Sequence, residues 1–297
     1  MKTAGFRFAG PGFRPPEPPR PPAVKKRGRR LPYVSAAVLA LLLLGCLFAE
    51  SVMNHDPAYL DLSRLSEPPG REFYFGTDPM GRDVFSMIWY GGRISLFIGL
   101  ASACVSTLIA VVYGCVSGMA PEAVDDLLMR FTEIILSIPS ILIVIFIQAF
   151  LGQSDPLSIA LVIGITSWMN IAKVVRSEVR QIRKSGFVTA SKAMGGGFFH
   201  VLSRHLFPNF LPAIMFMIVT NIGSAIGTES TLSFLGIGLP VETVSWGSML
   251  SQADRALLSN SWWVILAPGV FLAVTLVCIT NIGNSIRKSG NRKCSNL

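Results

Sequence analysis

Chemistry needs convergent groups, and this 297-residue chain offers few of them. Its three histidines are dispersed: His55 stands alone, and His200 and His205 lie five apart in a basic stretch. The pair is weak as a metal site and reads better as polar loop residues. The five cysteines (Cys46, Cys104, Cys115, Cys278, Cys294) show no paired spacing, so neither a disulfide framework nor a zinc motif is read. Four of them fall inside apolar runs and behave as small hydrophobes. No G-x-x-x-x-G-K-[ST] is present, so the chain has no P-loop for ATP. H-E-x-x-H and G-x-S-x-G are missing too. A hydrolase acting within the membrane needs paired acids, or a Ser-His pair, inside its spans. The acids nearest to span interiors, Glu50, Glu133 and Glu229, all fall near predicted ends. The expectation is a non-enzyme with no catalytic residue, no metal and no cofactor of its own.

The residue pattern that does point to work is mechanical. It is the stretch FVTASKAMGGGFFHVLSRHLFPN, Phe187 to Asn209, between two apolar runs. Before it, apolar residues recur from Ile171 through Val174, Val175, Val179 and Ile182, with Arg176, Arg180 and Arg183 on another face. That spacing predicts an amphipathic helix with a basic face, ended by Ser185 and Gly186. A second helix of about 12 Å, at ~1.5 Å per residue, fits Phe187 to Met194. Its residues are Phe187, Val188, Thr189, Ala190, Ser191, Lys192, Ala193 and Met194, with Gly195 placed as a C-terminal cap. Phe187, Ala190, Ser191 and Met194 fall on one face by i, i+3, i+4, i+7 spacing. Gly196 and Gly197 allow a reversal, and Pro208 opens the next run. A short helix with a small apolar face, set apart from the apolar runs, calls for a partner with a groove. The plain alternative is a connecting loop.

The elements that must hold this segment are membrane spans. The chain is 51% hydrophobic and 14% charged, whereas a soluble domain carries about 25% charged residues. Runs of about 20 apolar residues cross a bilayer, and in lipid such runs must be helical. Six spans are read, at 33–53, 95–119, 134–152, 157–173, 206–228 and 262–284. Pro139, Pro212 and Pro268 each kink a helix or mark its start. Placing both termini inside puts 21 Lys and Arg on the cytoplasmic side and 5 outside, which fits the positive-inside rule. The net charge of +9 then reflects topology, and no nucleic-acid partner is expected. The fold class is therefore all-α: a polytopic membrane protein with six transmembrane helices, N-in and C-in. Residues 1–32 read as a disordered, Pro-rich, basic cytoplasmic tail that meets anionic headgroups of the lipid bilayer. A first span and external loop occupy 33–94, and a core with a cytoplasmic loop at 173–205 occupies 95–287. A cytoplasmic tail follows at 288–297. Leu43–Cys46 has the outline of a lipoprotein box and Cys294–Leu297 that of a prenylation box. Leu44, Ser295 and Asn296 are the wrong residue types for them, so both read as incidental.

The 187–209 stretch resembles the EAA loop of binding-protein-dependent ABC importer permeases. Ala190, Gly195 and Pro208 match that pattern; Thr189 stands where Glu is usual and Ser191 where a second Ala is usual. GTDPMGRDVFSMIWYGGRISLFIGL (Gly76–Leu100), LLMRFTEIILSIPSILI (Leu127–Ile143) and ESTLSFLGIGLPVETVSWGSML (Glu229–Leu250) resemble the dipeptide, oligopeptide and nickel branch. The likeness runs from about Gly76 to Arg287, and the chain is identified as a C-type subunit of that family. The resemblance implies the permease fold and a place in the bacterial inner membrane. It implies a second permease subunit, two cytoplasmic ABC ATPase subunits that bind the ATP, and an extracellular substrate-binding protein. It also makes Phe187 to Gly195 the helix that couples to the ATPase.

Thr220, Asn221, Ser224, Thr228 and Glu229, late in the fifth span, are candidates to line the pathway, although small polar residues also join helices. SFLGIG at 233–238 reads as a re-entrant turn or a plain external loop. Trp262 and Trp263 read as interface markers. Import of short peptides is the favoured function, with nickel or a metal–chelator complex as the alternative in the same architecture. A stand-alone secondary transporter would require ionisable residues buried within spans. A membrane anchor would explain the docking loop but not the polar late fifth span.

Overall fold

The computed structural model describes residues 33–152, 155–240 and 242–294. The tail expected at 1–32 lies outside the described residues, as do 295–297. Among the described residues there is no strand, only an isolated bridge between Thr77 and Asp83.

The first expected span is two helices, α1 (Tyr33–Leu47) and α2 (Ala49–Val52). Arg93 ties their junction. Its guanidinium donates to the carbonyls of Cys46 and Leu47, 2.7 Å each, and to the Glu50 carboxylate at 2.9 Å. A cation on the last carbonyls of a helix satisfies acceptors that the helix itself leaves open.

The second helix, α3 (Val84–Met119), starts at Val84 instead of 95 and has 36 residues, about 54 Å at ~1.5 Å per residue. Its earlier start comes from a cap that hydropathy does not see. The Asp83 carboxylate accepts from the N–H groups of Phe85 and Ser86 at 3.3 and 3.2 Å. Asp78 accepts from the N–H groups of Met80 and Arg82, 2.8 Å each, and from the Arg82 guanidinium. The Thr77 hydroxyl donates to the Arg64 carbonyl at 2.6 Å and accepts from the Glu67 N–H at 2.7 Å. The polar residues of Gly76–Asp83 are thus a folded turn that launches a helix, and an Asp in this role stabilises by about 1 kcal/mol.

Two of the remaining spans are broken. α4 (Glu122–Leu136) and α5 (Ser140–Leu151) meet at 83°, with Pro139 at the break. α6 (Pro156–Thr166) and α7 (Met169–Ile182) meet at 45° around Ser167 and Trp168. The chain continues through α8 (Gly186–Ala193), α9 (Phe198–Val201) and a wider helical turn at Leu202–Leu206 into α10 (Phe207–Phe234). Short α11 (Trp246–Leu250) and α12 (Ala253–Leu258) precede α13 (Trp263–Cys294), so residues 288–294, expected as a tail, are helical. By length and composition, α3, α10 and α13 are long and apolar enough to cross a membrane, and each bent pair qualifies as a pair. α1 is a shorter apolar helix.

α3 is the spine, packed along its length by α6, α7 and α10. α7 seats so closely that a Cβ on Gly114 would come within 2.7 Å of the Ala172 carbonyl, and one on Gly118 within 2.7 Å of the Val179 side chain. Only glycine permits that approach, the usual device for bringing helices together in lipid. Val175, Val179, Ile171 and Ala172 of α7 are buried in that seam. At the other end, Trp246 is fully buried and donates from Nε1 to the Ile88 carbonyl at 2.9 Å. Of the two expected interface tryptophans, Trp262 is 56% exposed. Trp263 is only 8% exposed and donates to the Thr77 carbonyl at 3.0 Å.

Candidate functional site

The short helix expected at Phe187–Met194 is present as α8, shifted by one residue to Gly186–Ala193. Its end is a glycine cap. Gly195 has φ +86°, the Met194 N–H donates to the Ala190 carbonyl at 3.0 Å, and the Gly196 N–H donates to the Ser191 carbonyl at 2.9 Å. A left-handed residue followed by a bond reaching back five residues closes a helix sharply. α8 is anchored by Val188, which is fully buried in one apolar cluster with Val175 and Val179 of α7, Val201 and Leu206.

The sequence placed Ser191 with Phe187, Ala190 and Met194 on one outward face. The structure divides them. Phe187, Ala190 and Met194 are exposed, Met194 at 83%, whereas Ser191 is buried beside Val188. At about 100° per residue, position 191 turns towards 188, and burial of Val188 takes Ser191 with it. The outward arc therefore consists of Phe187, Thr189, Ala190, Ala193, Met194 and Gly195. Thr189, where the family pattern has Glu, donates back to the Ser185 carbonyl at 3.3 Å. The side chain of Lys192 is not among those described.

The basic face of α7 is not a free surface. Arg176 donates from both Nε and Nη2 to the two oxygens of Asp125, which is 1% exposed. Arg180 donates to the same carboxylate at 2.6 Å, and so does the Ser117 hydroxyl of α3. Arg183 donates to the carbonyls of Gly118 and Ala120 at the end of α3, at 2.8 and 3.2 Å. Sequence reading missed Asp125. A signal was present: three arginines on one helical face require a counter-charge if that face is buried.

The second candidate set lies on α10. Thr220, Ser224, Thr228 and Asn221 fall within about 100° of helix surface, and two of them reach a shared cavity. It has a volume of about 280 Å³ and forms where both helix breaks meet α10, lined by Ser140, Thr166, Ser167, Asn170, Asn221 and Ser224 among others. Asn221 donates to the Ser106 hydroxyl of α3 at 2.6 Å. Thr220 and Thr228 return their hydroxyls to the carbonyls of Phe216 and Ser224 in their own helix, at 3.0 and 2.9 Å. The lining from α5, α6 and α7 was not found in the sequence, because the 45° break at Ser167 and Trp168 carries no proline and Pro139 gives no register against α10.

Glu229 is not brought to that face. It is fully buried and held by serine hydroxyls: Ser245 at 2.8 Å, Ser233 at 3.0 Å and Ser230 at 3.3 Å. α10 runs on to Phe234 instead of ending near 228, so Glu229 is internal to the helix and not at its end. The helix tolerates its polar last turns because Thr231 donates to the Gly227 carbonyl at 2.8 Å while the serines turn to Glu229. SFLGIG closes α10: Gly236 has φ +77°, and the N–H groups of Ile237 and Gly238 both donate to the Leu232 carbonyl at 3.0 Å. No group of three or more His, Cys, Asp or Glu side chains able to hold a metal occurs among the described residues.

Comparisons with known proteins agree with this architecture. The family model for binding-protein-dependent transport system inner membrane components matches residues 110–289. The dipeptide transport system permease protein DppC of Bacillus subtilis (strain 168) is 34% identical over 264 residues, covering 87% of this chain and 82% of the relative. The oligopeptide transport system permease protein OppC of the same strain is 33% identical, covering 88% and 85%. The probable D,D-dipeptide transport system permease protein DdpC of Escherichia coli (strain K12) is 32% identical, covering 88% and 87%. Among solved structures, a chain of the MetNI methionine ABC transporter in inward facing conformations superposes with TM-score 0.54. It is 17% identical and covers 69% of this chain and 96% of that one; at that identity the likeness speaks for the fold.

Proposed function

Because the chain belongs to the family of binding-protein-dependent transport system inner membrane components, we propose that it forms half of the translocation pathway of an ATP-driven importer of short peptides. A second permease subunit supplies the other half, two cytoplasmic ABC ATPase subunits hydrolyse ATP, and an external binding protein delivers the peptide. The complex sits in the bacterial cytoplasmic membrane, with both termini of this chain inside. The observation that carries the reading is α8: a capped helix, fastened by Val188 and presenting Phe187, Ala190 and Met194 outward. An apolar face of that size suits a groove on a soluble partner. The substrate class rests on the relatives, which are named for dipeptides and oligopeptides.

In this reading, ATP binding closes the ATPases and carries α8 with them. The α10 face at Asn221 and Ser224, with the cavity between the helix breaks, is where a peptide passes. Nucleotide biases the complex towards one orientation only through contacts that differ between the two states, and α8 is the place for those contacts. The test is co-purification from native membranes, with bound chains and small ligands identified by mass spectrometry. The expected result is an ATPase, a second permease of the same family and a captured peptide. A chain that purifies alone and transports in liposomes without ATP would overturn the proposal, and a captured metal chelate would replace the peptide.

A further inference from the structure

The stem of α8 is fixed to its neighbours at several points. α7, which leads into α8, is clasped at three points along its exposed edge. Arg176 holds Asp125 with a two-bonded fork, Arg180 reaches the same carboxylate at 2.6 Å, and Arg183 grips the last carbonyls of α3. Ser117 of α3 closes the set on Asp125, so one carboxylate joins three helices. Beneath the clasp, α7 lies directly on Gly114 and Gly118, closer than any larger residue would allow. α3 then runs without interruption from Met119 to Val84 at the opposite end of the bundle. By contrast, α4 turns through 83° into α5 about three helical turns beyond Asp125.

From this geometry we infer that Asp125 is the positioning residue through which α8 drives α3. It makes α7 and the end of α3 one rigid body, so displacement of α8 is delivered along the spine and not lost by rocking of α7. A planar carboxylate facing a planar guanidinium resists rotation as well as separation, which a lever needs. The inference rests on the importer reading and adds the residue that transmits its stroke.

The test uses the assembled complex of this chain with its second permease, ATPases and binding protein in proteoliposomes, with radiolabelled trialanine as probe. Asp125→Asn should keep the ATPases bound and hydrolysis within about twofold of wild type, while trialanine imported per ATP falls about tenfold. Asp125→Glu, which restores the charge, should recover most of the loss. If Asp125→Asn does not accumulate in the membrane, Arg176→Lys takes its place. It keeps the charge but loses the fork, and the same fall in the ratio is expected. Wild-type stoichiometry in these variants would overturn the inference, and so would equal losses of assembly, hydrolysis and import, which mark a merely structural role. Wild-type complex that imports trialanine without ATP would instead bring down the importer reading, and this inference with it.

Discussion

Two buried carboxylates sit near opposite ends of the spine, and they are held by different means. Asp125 faces two guanidinium groups and one hydroxyl, and its partners come from helices far apart in sequence. Glu229 faces serine hydroxyls: Ser230 and Ser233 from its own helix, Ser245 from the start of α11 and Ser95 of α3. A guanidinium fork demands one geometry and an ionised partner. A hydroxyl rotates and either donates or accepts. The first arrangement is rigid and intolerant of change. The second holds its acid through hydroxyls of α3, α10 and α11, each able to turn about its own bond. The Asp125 end is therefore held by a fork of fixed geometry, while the Glu229 end is held by groups that can turn.

The largest expected effect breaks the rigid side. Asp125→Ala leaves two guanidinium groups without their counter-charge, and a lost buried pair of this kind costs about 3 kcal/mol. Arg176 and Arg180 keep 24% and 33% of their side-chain surface exposed, which holds the figure at the low end. The thermal midpoint of the detergent-solubilised chain measures it. Next is the neutral amide at each site. Glu229→Gln should cost about 1 kcal/mol, because the serine hydroxyls can turn to suit the amide, and clearly less than Asp125→Asn in the same assay. Equal losses would remove the distinction between the two sites.

Comparable in size is Gly195→Ala. The added methyl meets open space, so the cost is the left-handed backbone alone, about 1 kcal/mol. ATPase capture by the purified chain should weaken while membrane insertion stays intact; unchanged capture would argue against α8 as the docking element. The smallest expected effect is Thr228→Val. Its hydroxyl only returns to its own helix, so a change of under about 0.5 kcal/mol is expected from the same melting experiment. A large loss there would mean that Thr228 has a partner in the assembled complex. Topology has its own check: a cysteine at Ser185 should react with a thiol reagent only from the cytoplasmic side.

What the sequence made legible follows from the range of each signal. α8 and its cap are written within ten residues or so, in Ala190, Gly195 and the glycines after it, and both are present. Pro139 announces the break between α4 and α5 because proline acts on its own backbone. The apolar runs locate α3, α10 and α13, but only approximately. Capping by Asp83 extends α3 backwards through residues that look polar, and the self-satisfied Thr231 extends α10 forwards. The pairing of Asp125 with Arg176 spans 51 positions and that of Asn221 with Ser106 spans 115. A single sequence gives no register for such distances, so the clasp and the cavity lining went unseen. Glu229 reads as a pathway residue in the sequence because it continues the polar end of the fifth span. Only the surrounding serines show that it is enclosed.

The contact between Trp263 and the Thr77 carbonyl links residues 186 positions apart. On a ribosome adding about 5–20 residues per second, the Gly76–Asp83 turn therefore waits roughly 10 to 40 s for its last partner. During that interval the nascent chain has its cap for α3 but not the indole that seals the turn against α13. Closure of this turn thus reports that synthesis has reached α13. Chains stalled before Trp263 should be cleaved within the 53–83 loop by an added protease, and chains extended past it should resist.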